Sequence, residues 1–136
     1  MTCQNLLIVD GDVNVPEFLR KVYERNLAFY CQDASTYKFE SDSIPDKSKM
    51  MKESENFPDV KFIISFFYVK NSHYVVGYFS VLNGKIGQEK LWDNTQIINE
   101  NSGFNYAFNF VSRFYPLLVK DVFVCWSLLK FLANCL

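Results

Sequence analysis

The chain reads as an α+β domain, a curved antiparallel sheet wrapped around a long N-terminal helix, with an extra apolar helix at the C-terminus. Three observations lead there. An amphipathic helical period follows Asn14, the period of the apolar residues changes to two from Asp59 onward, and Asn83-Gly84 stands between two β-rich runs. A long amphipathic helix cannot bury its own face, and a curved meander offers a concave surface to receive it.

Asn14 is a suitable N-cap, and Pro16 falls in the first turn, where a missing N–H costs nothing. Val15, Phe18, Leu19, Val22, Tyr23 and Leu27 then recur at three- and four-residue spacing, with Glu17, Arg20, Lys21, Glu24 and Arg25 on the other side. That pattern predicts a helix of about four turns, running into a short helical turn at Phe29 and Tyr30. Thr36–Glu40 alternates ring and polar residues as a strand does. Ser41–Ser48 is linker-like, Asp46 is placed to cap a polar helix over Lys47–Asn56 that offers Met50 and Met51 to a core, and Pro58 ends that segment.

Val60–Val69 and Tyr74–Leu82 are apolar strands joined at Asn71-Ser72. Asn83-Gly84 is a type I′ dipeptide and leads into a third strand, Ile86–Ile98, with Trp92 at its middle. Asn101-Ser102-Gly103 turns the chain again. Phe104, Tyr106, Phe108 and Phe110 then alternate with Asn105, Ala107, Asn109 and Val111, which predicts a fourth strand carrying four rings on one face. The expected order is helix, strand, small helix and a four-stranded meander.

At 136 residues the chain has room for one domain, 1–136, with its core expected over 14–115 and the apolar helix over 117–136. Fourteen Lys+Arg against 15 Asp+Glu exclude a domain that depends on phosphate attraction, so no direct nucleic-acid partner is expected. Fourteen Phe, 8 Tyr and 2 Trp are more ring surface than a small core usually needs, which points to a cavity or a buried interface. Cys3, Cys31, Cys125 and Cys135 form no C-x-x-C pair and lie far from His73, so no metal or other cofactor is expected. Free thiols fit a reducing compartment, and the segment Met1–Asp12 has no basic n-region of the kind a signal peptide carries. Lys120, Asp121 and Lys130 interrupt the apolar C-terminal run, which favours a packed helix over a membrane anchor.

Acid–base chemistry requires a carboxylate or imidazole in an apolar cavity. Asp33, Glu40, Asp93 and His73 are the candidates, and the blander reading of each is a turn residue or a solvated strand face. With a single His, no Ser–His–Asp or Cys–His set assembles, and no catalytic residue is assigned. Arg113 is the basic residue inside the last aromatic stretch. Directed inward or into an interface it would need a carboxylate partner, and at a frayed strand end it would reach solvent.

Several of these segments resemble the nuclear transport factor 2-like superfamily. The opening helix with Phe18 and Tyr23 leads through Leu27-Ala28-Phe29-Tyr30 to Asp33-Ala34-Ser35, and Glu40 follows five residues after Ser35, behind the aromatic Phe39. Val75-Val76-Gly77 looks like the start of a central family strand, and Arg113-Phe114 looks like the closing Arg-aromatic pair. The resemblance spans roughly Val15–Tyr115. It implies a cone-shaped α+β fold whose sheet face pairs with another copy or with a paralogous domain. By the same resemblance Glu40 matches an acid that contacts Ran-GDP, and Arg113 matches an arginine that makes a buried salt bridge to the large subunit of an mRNA export receptor. The stretch Leu82-Asn83-Gly84-Lys85 lacks the acidic loop of the Ran-binding members, and about twenty apolar residues follow where the family usually ends.

The function expected from residues and resemblance together is a non-enzymatic nucleocytoplasmic transport factor. It would act as a homodimer or as the small subunit of an mRNA export receptor, bind nucleoporin Phe-Gly repeats, and occupy nucleus and cytoplasm. Arg113, Glu40, Phe104, Tyr106, Phe108, Phe110 and Trp92 are the expected partner-binding residues, aromatic and Arg side chains being the usual interface anchors. The alternatives are a cavity enzyme of the same fold acting on a small apolar substrate, and a dimerising scaffold module.

Overall fold

The computed structural model describes residues 3–70 and 73–93 and, beyond them, Asn105, Tyr106 and Asn109. The elements in chain order are β1 (Cys3–Asp10), α1 (Val15–Tyr23), β2 (Phe29–Asp33), β3 (Thr36–Ser41), α2 (Lys47–Ser54), β4 (Lys61–Lys70), β5 (His73–Leu82) and β6 (Lys85–Asp93). The strands form one open, curved sheet of six in the order β2-β3-β1-β4-β5-β6, with every neighbouring pair antiparallel. The architecture is α+β, and the helices lie against one face of the sheet rather than inside it.

The first strand comes ahead of residue 14, where the core was expected to begin. Cys3–Asp10 lies between β3 and β4 and pairs with both. A strand in that position buries both faces, so its apolar residues run continuously instead of alternating. Leu7 and Val9 join the helix-side core while Leu6 is equally buried on the opposite side.

Helix α1 starts as expected, with the Asn14 side chain accepting from the Glu17 amide at 3.2 Å. Its end is a correction. The helix covers nine residues, because Glu24 adopts a left-handed conformation at φ 58° and turns the chain away. Leu27, the next periodic apolar residue, still packs against the core, but from the loop. The helical turn expected at Phe29 and Tyr30 is also corrected. These residues open β2, where Phe29 pairs with Phe39 and Tyr30 with Lys38, since β3 offers a free edge and aromatic residues suit a half-exposed pleat.

Helix α2 is capped by Asp46, whose side chain accepts from the Lys49 amide at 3.1 Å, and it ends at Ser54. Asn83 and Gly84 have φ of 47° and 76°, the pair of positive values that a type I′ turn needs to join β5 to β6. The Gly84 amide donates to Ser54 Oγ at 2.8 Å, which ties this hairpin to the end of α2. The remainder of the expected third strand after Asp93 and the Asn71-Ser72 turn lie outside the described residues. So do Phe104, Phe108, Phe110, Arg113 and the expected helix over 117–136.

Of the expected fourth strand, Asn105, Tyr106 and Asn109 are described, and all three are helical. Asn105 and Asn109 are both exposed and stand four residues apart, the spacing of one helical face. Alternating rings imitate a strand there, but the polar residues keep the helical period.

The helix-side core is ring-rich. Phe18 of α1 stacks on Phe62 of β4 with centroids 4.1 Å apart and planes 7° from parallel, and Phe57 meets both rings edge-on. Met50 of α2 is completely buried in the same cluster, while Met51 is partly so.

Candidate interaction face of the sheet

Strand alternation and register set out the face opposite the helices. One cross-strand row reads Glu40, Gln4, Phe67, Val76, Trp92, and the next reads Tyr30, Lys38, Leu6, Ser65, Tyr78, Lys90. Two of the expected partner-binding residues, Glu40 and Trp92, therefore share one row. Four strand spacings, about 19 Å, separate them. Tyr106 joins Trp92, with ring centroids 4.9 Å apart and stacked, and also contacts Tyr78 at 5.1 Å. Its hydroxyl bonds Ser65 Oγ at 2.7 Å.

This face divides in two. Toward β4, β5 and β6 much of it is buried: Phe67, Tyr74, Val76 and Trp92 are all under a tenth exposed, while Tyr78 is half-buried and Lys90 exposed. Toward β2 and β3 it is open. Tyr30 is 65% exposed and Glu40 is also exposed, with Lys38 and Gln4 half-buried between them. Gln4 Nε2 donates to Glu40 Oε1 at 2.9 Å, and Lys38 Nζ lies 5.8 Å from the centre of the Tyr30 ring. Partial burial pulls the Lys38 ammonium below its ordinary pKa, because desolvation disfavours the charge. The open half thus presents a ring, a cation and a carboxylate in fixed register.

Among the described residues, two buried polar atoms on this face have no hydrogen-bond partner, Gln4 Oε1 and Trp92 Nε1. A buried donor left unmet costs about 1–3 kcal/mol. On the helix side the Tyr23 hydroxyl is in the same position, beside a polar knot in which Asn5 Nδ2 donates to Ser41 Oγ at 2.8 Å and to the Cys3 carbonyl at 3.2 Å. Burial pushes the Cys3 thiol up to about 12 and raises the Tyr23 phenol as well, so both stay protonated at neutral pH.

The remaining candidates lie away from this open half. Asp33 turns the β2–β3 connection: its carboxylate accepts from the Ser35 amide at 2.9 Å, and that bond lowers its pKa. His73 is the first residue of β5, paired with Lys70, and Asp93 ends β6 opposite Val75. On the helix side, a groove of about 370 Å³ runs between the loop before α2 and β6, over Ile44, Pro45, Phe66, Phe79 and Leu91. Lys47 Nζ reaches Glu89 Oε2 across it at 2.8 Å, and with both side chains about half exposed the groove is open to solvent. Among the described residues no cluster of three His, Cys, Asp or Glu side chains suits a metal ion, and no helix is long and apolar enough to cross a membrane.

Sequence reasoning missed Tyr30, Lys38, Ser65 and Tyr78. Ser65 carried a signal, as the polar break in the run Phe62-Ile63-Ile64-Ser65-Phe66-Phe67. Tyr30 carried none, since an edge strand of five residues is too short to show a period. No family model, curated protein or solved structure matches this chain.

Proposed function

We propose that this chain is a non-enzymatic protein-binding module of the nucleocytoplasmic transport type. It works as a homodimer or as the small subunit beside a paralogous domain of an mRNA export receptor, with pore Phe-Gly repeats and Ran-GDP as further partners, in nucleus and cytoplasm. The observation that carries the binding role is the open half of the second sheet face. An exposed Tyr30 on β2 and the cation Lys38 and carboxylate Glu40 on β3 stand together, and the outer edge of β2 has no neighbour among the described residues. Exposed rings beside charged residues on a rigid strand are what interface anchors require, and an unpaired edge adds backbone hydrogen bonds to them.

Capture from nuclear extract tests this reading, using wild type, a Tyr30→Ala/Glu40→Lys double variant and Arg113→Asp, with the bound proteins identified. The expected result is an export receptor, or Ran with pore proteins, bound by wild type and lost from the double variant. Loss from Arg113→Asp as well would extend the interface to that residue. Wild type that is folded and captures no transport protein would overturn the transport reading.

The groove over Phe66 and Phe79 favours a second reading, a site for a small apolar ligand of the kind a cavity enzyme holds. The carboxylate at hand there is Glu89, which is tied to Lys47.

A further inference from the structure

Ser65, Tyr78 and Trp92 form a slot in which the ring of Tyr106 sits. We propose that this slot is a binding site for the phenolic side chain of tyrosine in a peptide segment, and that Tyr106 fills it as an exchangeable occupant from the same chain.

The argument begins with Ser65. It is buried in the middle of β4 among Phe and Ile residues, where an apolar side chain would pack at no cost, yet its hydroxyl has a defined task in meeting the Tyr106 hydroxyl at 2.7 Å. The walls are aromatic. The Tyr106 ring stacks on Trp92, 29° from its plane, and leans against Tyr78 at a tilt of 32°. A ring with a hydroxyl at its far end satisfies walls and floor together; a phenylalanine ring meets the walls and leaves Ser65 without that bond.

Tyr106 is an incomplete occupant. Trp92 is 4% exposed, and among the described residues its Nε1 has no acceptor while Tyr106 is in place. A peptide segment brings backbone carbonyls along with its ring, and one of them set against Nε1 would meet the donor that Tyr106 leaves unmet. Asn105 and Asn109 on either side of Tyr106 are exposed, while the Tyr106 ring is directed onto the sheet. The Lys90 ammonium lies 5.8 Å from the centre of the Trp92 ring, beside the site. The proposal rests on these contacts and is independent of the transport reading.

The test uses the full chain with Trp126→Phe, so that Trp92 is the remaining tryptophan. N-acetyl-tyrosinamide and N-acetyl-phenylalaninamide are titrated into this protein and into its Tyr106→Ala variant, with Trp92 fluorescence and calorimetry as readouts. The expected result is that emptying the slot tightens N-acetyl-tyrosinamide binding at least tenfold, with a preference of about tenfold over the phenylalanine probe that Ser65→Ala removes. Should Tyr106→Ala fail to fold, Tyr106→Phe retains the ring and loses the hydroxyl bond; N-acetyl-tyrosinamide should then displace it at lower concentration than it displaces Tyr106. A folded Tyr106→Ala that binds neither probe, or both equally, overturns the proposal, as does Tyr106→Phe behaving like the parent.

Discussion

The two faces of the sheet are built from the same strands and serve different ends. The helix side is closed by Phe18, Phe57, Phe62 and Met50, and its buried polar groups gather in one knot around Asn5, Ser41 and Tyr23. The far side mixes Ser65, Ser80, Gln4 and Glu40 with rings, leaves two buried polar atoms unmet, and opens to solvent toward β2. The first face supplies cohesion. The second gives up cohesion for groups able to recognise something, and a fold tolerates that because its other face carries the stability.

The comparison breaks first at Phe18. Phe18→Ala should cost about 3–5 kcal/mol, the range for removing a fully buried aromatic side chain, as read by denaturant unfolding. A smaller loss would mean that the helix side is not the principal core.

The polar knot on that side gives the next largest effect. The Cys3 thiol ionises near 9.0 when unfolded and is held to about 12 in the fold, so the folded state keeps a proton that the unfolded state releases. Stability is therefore complete below pH 9 and falls as pH rises across that interval, by up to about 1.4 kcal/mol per unit, with Tyr23 adding in the same direction. Cys3→Ala should flatten the alkaline limb of a stability–pH curve. In the native state a thiol reagent should modify the exposed Cys31 and spare Cys3.

Gly77 sharpens the contrast at the border of the groove. A Cβ there would stand 2.7 Å from the Lys90 carbonyl and 2.9 Å from the Phe66 ring. Gly77→Ala should cost about 1–3 kcal/mol through overpacking, measured by the shift in unfolding midpoint. The smallest effect is expected on the second face. Trp92→Phe loses packing but removes an unmet donor, so the two contributions should cancel to within about 1 kcal/mol.

Much of the framework was legible in the residues. The Asn14 and Asp46 caps, the two long strands and the Asn83-Gly84 turn are local signals, and local chemistry decides them. What was not legible depends on pairing partners. Leu6-Leu7-Ile8-Val9 is a short apolar run until β3 and β4 close around it, and a central strand loses the alternation that would announce it. Glu24 ends α1 with a left-handed residue that has no glycine to mark it. The rings after Asn101 imitated a strand although Asn105 and Asn109 keep a helical spacing. For the candidate site, Glu40 and Trp92 were picked from the sequence, but their placement in one row follows only from register across five strands.

The central claim is that binding of the proposed transport partner belongs to the open half of the second face. A photo-crosslinking amino acid placed at Tyr30 and, separately, at Leu91 tests it most directly, because these sites are 65% and 51% exposed and lie on opposite faces at opposite edges of the sheet. In cell extract, position 30 should yield a discrete crosslinked protein, and position 91 should yield none. A discrete product from position 91, or none from position 30, would contradict the account.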